Sequence, residues 1–111
     1  MADILIVDDQ PTVRRLVSRA LTAEGYRIRA IYDAALTWDH IKMLQPDLVL
    51  LNGLSDRFDS FGLLVDIKRR YPKYPVLVYV IRSFDAIDNL KQAISGVLDD
   101  IRAESLQFAV V

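Results

Sequence analysis

The stretch that decides the fold is "DLVLLNG", residues 47–53, in which Leu48 to Leu51 form an apolar run between Asp47 and the pair Asn52-Gly53. Such a run is too short for a helix and suits a strand covered on both faces. Residues 3–9, "DILIVDD", have the same form, with Ile4 to Val7 emptying onto the carboxylates Asp8 and Asp9. Two buried-strand signatures that both end on polar residues point to a site. The second ends on an amide, where a third carboxylate would complete an acidic pocket.

Outward from these runs, strand and helix patterns alternate. Pro11 suits the first turn of a helix, where its missing N–H costs nothing. Val13, Leu16, Val17, Ala20 and Leu21 follow at helical spacing, and Gly25 reads as the residue just past the helix end. "YRIRAIY" (26–32) alternates Arg27 and Arg29 with Ile28 and Ala30, as a strand nearer an edge does. Asp33 is a reasonable N-cap for a second helix with Ala34, Trp38, Ile41 and Leu44 on one stripe, ended by Pro46. Ser60 is a plausible cap for a third helix carrying Leu64, Ile67 and Tyr71. "VLVYVI" (76–81) is the fourth strand. From Asp85 to about Arg102, Ile87, Leu90, Ile94, Val97 and Ile101 share one helical face, and the chain closes on the strand-like "LQFAVV".

Four strand–helix units and a terminal strand imply an α/β fold, a parallel sheet with helices on both faces. Ligands in such folds sit outside the C-terminal ends of the strands, where strand order reverses. Asp8, Asp9 and Asn52 all fall at that end. The 111 residues read as a single domain, 1–111, large enough to bury a core. With 52% hydrophobic residues and a net charge of −1, the chain reads as a globule rather than a disordered tail or a charge-driven nucleic-acid binder. The absence of cysteine excludes disulfides and thiolate metal sites. There is no leader-like N-terminus and no membrane-length apolar stretch, so the expectation is cytoplasmic.

"ILIVDDQPTVRRLVSRALTAEGYRIRAIYDAALTWDHIKMLQPDLVLLN" resembles the first half of a response-regulator receiver domain, and the similarity covers roughly residues 3–82. An apolar strand ends on Asp-Asp, a helix ends on "EGY", and "PDLVLL" precedes the reactive position. The resemblance implies a flavodoxin-like sheet of strand order 2-1-3-4-5, here lacking the usual last helix. It also implies a Mg²⁺ site at Asp8, Asp9 and Leu54, and a phosphoryl acceptor at position 52.

The chain departs from that pattern where the chemistry lies. An amide is a poor nucleophile without charge, so Asn52 is a degenerate acceptor position that cannot form the acyl phosphate. Two carboxylates stand where the family offers three, so Mg²⁺ is not required and is expected to bind weakly. Val80 replaces the switch hydroxyl at the end of the fourth strand, with Ser83 a distant substitute. The strand-five lysine has no counterpart near Ala103 or Glu104; an alternative alignment treats residues 78–98 as the family's last strand and helix, with Arg82 near the lysine position. After the acceptor, "SDRFDS" keeps Asp59 and loses the Met, Pro and Gly of the family. Several positions changed together, which points to natural divergence rather than one laboratory substitution.

The plain structural readings stand beside these. Asp8 and Asp9 could cap the helix near Pro11, and Asn52-Gly53 is also a turn dipeptide. Asn-Gly deamidates through attack by the next backbone nitrogen, which would create an aspartate at position 52. Asp56 and Asp59 are loop charges or displaced acceptors. His40 has a surface or packing role, "KRRYPK" (68–73) is a solvated helix end before a nucleic-acid contact, and Trp38 is half-buried core before a patch with Tyr32.

The resulting expectation is a non-catalytic signalling module of two-component type, a pseudo-receiver not phosphorylated at Asn52 and acting through protein contacts. The alternative is a working receiver that accepts a phosphoryl group on Asp56 or Asp59 with Mg²⁺. A hydrolase of Asp-x-Asp type fails, since Gln10 stands two positions after Asp8. Missing helical cover on part of the sheet would expose an apolar face, so a second copy of the chain or a signalling protein is the expected partner, with neither membrane nor nucleic acid.

Overall fold

Alternate side chains of a strand point to opposite faces of its sheet, so a run apolar at every position needs cover on both. The computed structural model, which describes residues 2–83, 85–99 and 108–110, supplies that cover. Chain order is β1 (Asp3–Val7), α1 (Pro11–Ala23), β2 (Arg27–Ile31), a 3-10 turn (Ala34–Leu36), α2 (Thr37–Leu44) and β3 (Leu48–Asn52). Then come α3 (Ser60–Arg70), β4 (Val76–Tyr79), α4 (Asp85–Asp99) and β5 (Phe108–Val110). The strands are parallel and ordered β2-β1-β3-β4-β5, as the resemblance implies.

Pleat and register divide the core in two. Ile4, Ile6, Leu48, Leu50, Leu77 and Tyr79 face Val17 and Leu21 of α1 and Leu90 and Ile94 of α4. Leu5, Val7, Val49, Leu51, Val76 and Val78 face Ile41 of α2 and Leu64 and Ile67 of α3. Full burial of one such side chain contributes about 1.5–3 kcal/mol, so the central strands dominate the stability.

The placement of α4 corrects an expectation. Among the described residues two helices cover each face of β1, β3 and β4, and no bare apolar face remains on those strands. A right-handed crossover from β4 to β5 would put α4 beside α2 and α3, because all three connections step the same way across the sheet. It packs instead on the face of α1, where Lys91 pairs with Glu24 at 3.1 Å. The β4–α4–β5 crossover therefore has the opposite hand to the other three.

Three smaller expectations also change. Asp33 caps the 3-10 turn rather than α2, its Oδ1 accepting from Ala35 N at 2.9 Å. The N-cap of α3 is Asp59, whose Oδ1 accepts from Gly62 N at 3.0 Å, and Ser60 is already in the first turn. β4 ends at Tyr79, because β3, its pairing partner, ends at Asn52. Gly25 (φ 96°) follows α1 in the left-handed conformation that glycine adopts without strain. Ala103, Glu104 and the expected helix end at Ile101 and Arg102 lie outside the described residues.

Candidate functional site

The site forms where β1 stands between β2 and β3, at the strands' C-terminal ends. The chain leaves β1 one way to reach β2 and returns past it to β3, so loops of opposite direction part above this point. The first residue past β1 is Asp8, which is wholly buried. A buried carboxylate is tolerated when donors surround it. Here Oδ1 accepts from Gln10 N at 2.8 Å and from Asn52 Nδ2 at 2.9 Å, while Oδ2 accepts from the Tyr79 hydroxyl. Arg14 Nη1 donates to the Asp8 carbonyl at 3.0 Å.

Asn52 ends β3 and is 1% exposed. Its Nδ2 donates to Asp8, and its Oδ1 accepts from Leu54 N at 2.9 Å. A backbone N–H can only donate and a carboxylate can only accept, so both contacts fix the same orientation of the amide. The Ser60 hydroxyl donates to the Asn52 carbonyl, and Gly53 N donates to the Tyr79 carbonyl at 2.8 Å. A Cβ on Gly53 would lie 2.8 Å from Val78 Cγ1 and 3.2 Å from Val80 Cγ2, so the chain passes β4 only as glycine.

Tyr79 is wholly buried and stands opposite Asn52 in the register. Burial first, then the charge and hydrogen bond of Asp8, push its hydroxyl well above the usual phenol range. Sequence reading saw only a strand residue here. The one available signal was a tyrosine at a strand end, whose O–H needs a partner once buried. Gln10 was equally unremarked as a site residue, yet its Nε2 donates to the Leu54 carbonyl at 3.1 Å.

The remaining candidates are scattered around the mouth. Asp9 is half-buried, and its Oδ1 lacks a hydrogen-bond partner. Val80 is half-buried beside Gly53. Asp56 and Asp59 are exposed, and the Asp59 carboxylate is engaged in capping α3. Arg82 and Ser83 are exposed. Helix α1 begins from Gln10 without a side-chain cap. His40 Nδ1 lies 2.9 Å from the Leu36 carbonyl, Arg70 stacks 4.1 Å over half-buried Trp38, and Tyr32 is exposed. Lys68 donates to the Pro72 and Tyr74 carbonyls, and burial lowers its pKa. A cleft of about 610 Å³ lined by Pro46, Arg70, Tyr71, Pro72 and Tyr74 opens at the other end of the sheet, away from these groups.

The oxygens at Asp8, Asp9 and Leu54 do not fit Mg²⁺. That ion requires near-octahedral oxygen ligands, usually including carboxylates with free lone pairs. Both Asp8 oxygens and the Leu54 carbonyl accept hydrogen bonds within the protein, and Asn52 turns an N–H toward Asp8. Among the described residues no three His, Cys, Asp or Glu side chains are grouped to hold a metal.

A parallel sheet of this order with helices on both faces places the chain in the flavodoxin-like fold class. Within it, the chain belongs to the response regulator receiver domain family, whose model matches residues 4–104. It is 40% identical over 78 residues to the nitrogen assimilation regulatory protein NtrX of Azorhizobium caulinodans, covering 68% of this chain and 17% of that protein. To the DNA-binding transcriptional regulator NtrC of Rhizobium meliloti it is 36% identical over 77 residues, 69% of this chain and 16% of that one. The chain thus spans about a sixth of the length of these relatives. Among solved structures, NtrX from Brucella abortus in complex with ATP matches with a TM-score of 0.78 at 27% identity, over 91% of this chain and 27% of that one. The response regulator TrrA of Thermotoga maritima, in complex with Mg²⁺–BeF, shares the fold with a TM-score of 0.78 at 21% identity, over 86% and 98% of the two chains.

Proposed function

We propose that this receiver domain is a pseudo-receiver, a two-component signalling module that works through protein contacts without a phosphoryl group on residue 52. The observation that carries the reading is the Asn52 amide, bonded through nitrogen to Asp8 and through oxygen to Leu54 N. It offers no anionic nucleophile, and both its ends serve as internal fastenings. Val80 at the switch position, with no hydroxyl to offer, supports the same reading. The domain on this view is not an enzyme and needs no cofactor.

Partners follow from the relatives. TrrA has been solved in complex with the histidine kinase ThkA, and NtrC is a DNA-binding transcriptional regulator. The chain matches only a sixth of NtrC and NtrX, and the partner class proposed for it is a signalling protein. Among the described residues no helix is long and apolar enough to cross a membrane, which suits a cytoplasmic module.

The test is intact mass after incubation with a small acyl-phosphate donor and Mg²⁺. The expected result is an unchanged mass. A phosphoryl adduct would sink the reading, and peptide mapping would then assign it to Asp56, Asp59 or a deamidated residue 52.

A further inference from the structure

We infer that the Tyr79 hydroxyl stands in for a divalent cation at this site, binding Asp8 so that the pocket holds together without metal. The inference deepens the reading of Asn52 as a non-acceptor and rests on it. Asp8 and Tyr79 are both wholly buried, and Asp8 Oδ2 accepts from the Tyr79 hydroxyl. Asp8 Oδ1 is held by Asn52, the register partner of Tyr79 on the neighbouring strand. The last residues of β3 and β4 therefore grip the two oxygens of one carboxylate that follows β1.

A buried carboxylate needs either an opposite charge or a full set of donors. In a magnesium site the ion meets that need; here an O–H and two N–H groups meet it. The Gln10 side chain also occupies the Leu54 carbonyl. The Tyr79 hydroxyl occupies Asp8 Oδ2, the oxygen that a cation would share with Asp9, and the Asp9 oxygen alone offers a cation too little. Tyr79 is a positioning residue in this account, since it acts through Asp8.

Thermal unfolding of the wild-type chain, N52D and Y79F, each with and without MgCl₂, tests the inference. The wild type is expected to melt at the same temperature in both buffers. N52D sets two carboxylates in contact, so it is expected to melt lower without Mg²⁺ and to gain roughly 10 °C once Mg²⁺ stands a hundredfold above its dissociation constant. Y79F is expected to melt lower and recover part of the loss in Mg²⁺, because Asp8 Oδ2 and Asp9 Oδ1 are then both open. A tyrosine that merely packs would give a Y79F loss that Mg²⁺ does not change, and that result overturns the inference. So does a wild-type shift equal to that of N52D, which remains informative if Y79F fails to fold. A phosphoryl adduct on an otherwise Mg²⁺-indifferent wild type would instead sink the proposed function and leave Tyr79 in its role.

Discussion

An amide carries a donor and an acceptor on one planar group, and Asn52 uses both, toward the Asp8 carboxylate and the Leu54 N–H. The same arrangement protects it chemically. Deamidation needs Gly53 N to swing onto the Asn52 side-chain carbon, but Gly53 N is bonded to the Tyr79 carbonyl at 2.8 Å and the amide is fixed at both ends. Peptide mapping after prolonged incubation at mildly alkaline pH is expected to find asparagine in the native sample and conversion only in a denatured one. Equal conversion in both would mean that the fold does not restrain the pair. Asn-Gly was visible in the sequence as a deamidation-prone turn. The restraint was not, because it depends on a carbonyl of a different strand.

Helix α3 shows how one side chain settles an element boundary. Asp59 carries the cap, accepting from Gly62 N at 3.0 Å, and Lys68, Arg69 and Arg70 in the last turn complement the helix dipole. Asp59→Ala is expected to cost about 1 kcal/mol in a denaturant titration, within the usual range of roughly 0.5–2 kcal/mol for a lost cap. No measurable loss would show that the carboxylate is free for another role, including that of a displaced acceptor. Sequence reading placed the cap at Ser60, because serine and aspartate are equally good caps by residue type and local pattern does not separate neighbours. The choice fell to Asp59 because the Ser60 hydroxyl is drawn back to the Asn52 carbonyl.

For the molecule as a whole, phenols with raised pKa are expected to set the alkaline limit. Burial is the leading cause that raises both Tyr79 and Tyr74, so the native state keeps their protons where the unfolded chain releases them. Their contribution is intact below the unfolded phenol pKa of about 10 and falls as pH rises above it. Lys68 acts in the other direction: its lowered pKa means the native state binds fewer protons below about pH 10.5, so this term improves as pH rises. Tyr79 is wholly buried while Tyr74 and Lys68 are half-buried, so the phenol term is expected to win. Denaturant midpoints between pH 8 and pH 11 should fall above pH 10 in the wild type and less steeply in Y79F. Parallel curves for the two would remove Tyr79 as the source.

The sequence alone determined the strands and the polar ends of β1 and β3, because short apolar runs and their punctuation are local patterns. It also marked Asp8 and Asn52, since a polar residue ending a buried run has few other reasons to be there. Tertiary structure decided how those residues are used. Tyr79 reaches Asp8 across 71 positions and Gln10 reaches Leu54 across 44, and no local signal encodes such pairings. It also decided which face α4 covers, because one apolar stripe fits either side of a sheet and only the competition for buried area among four helices assigns it.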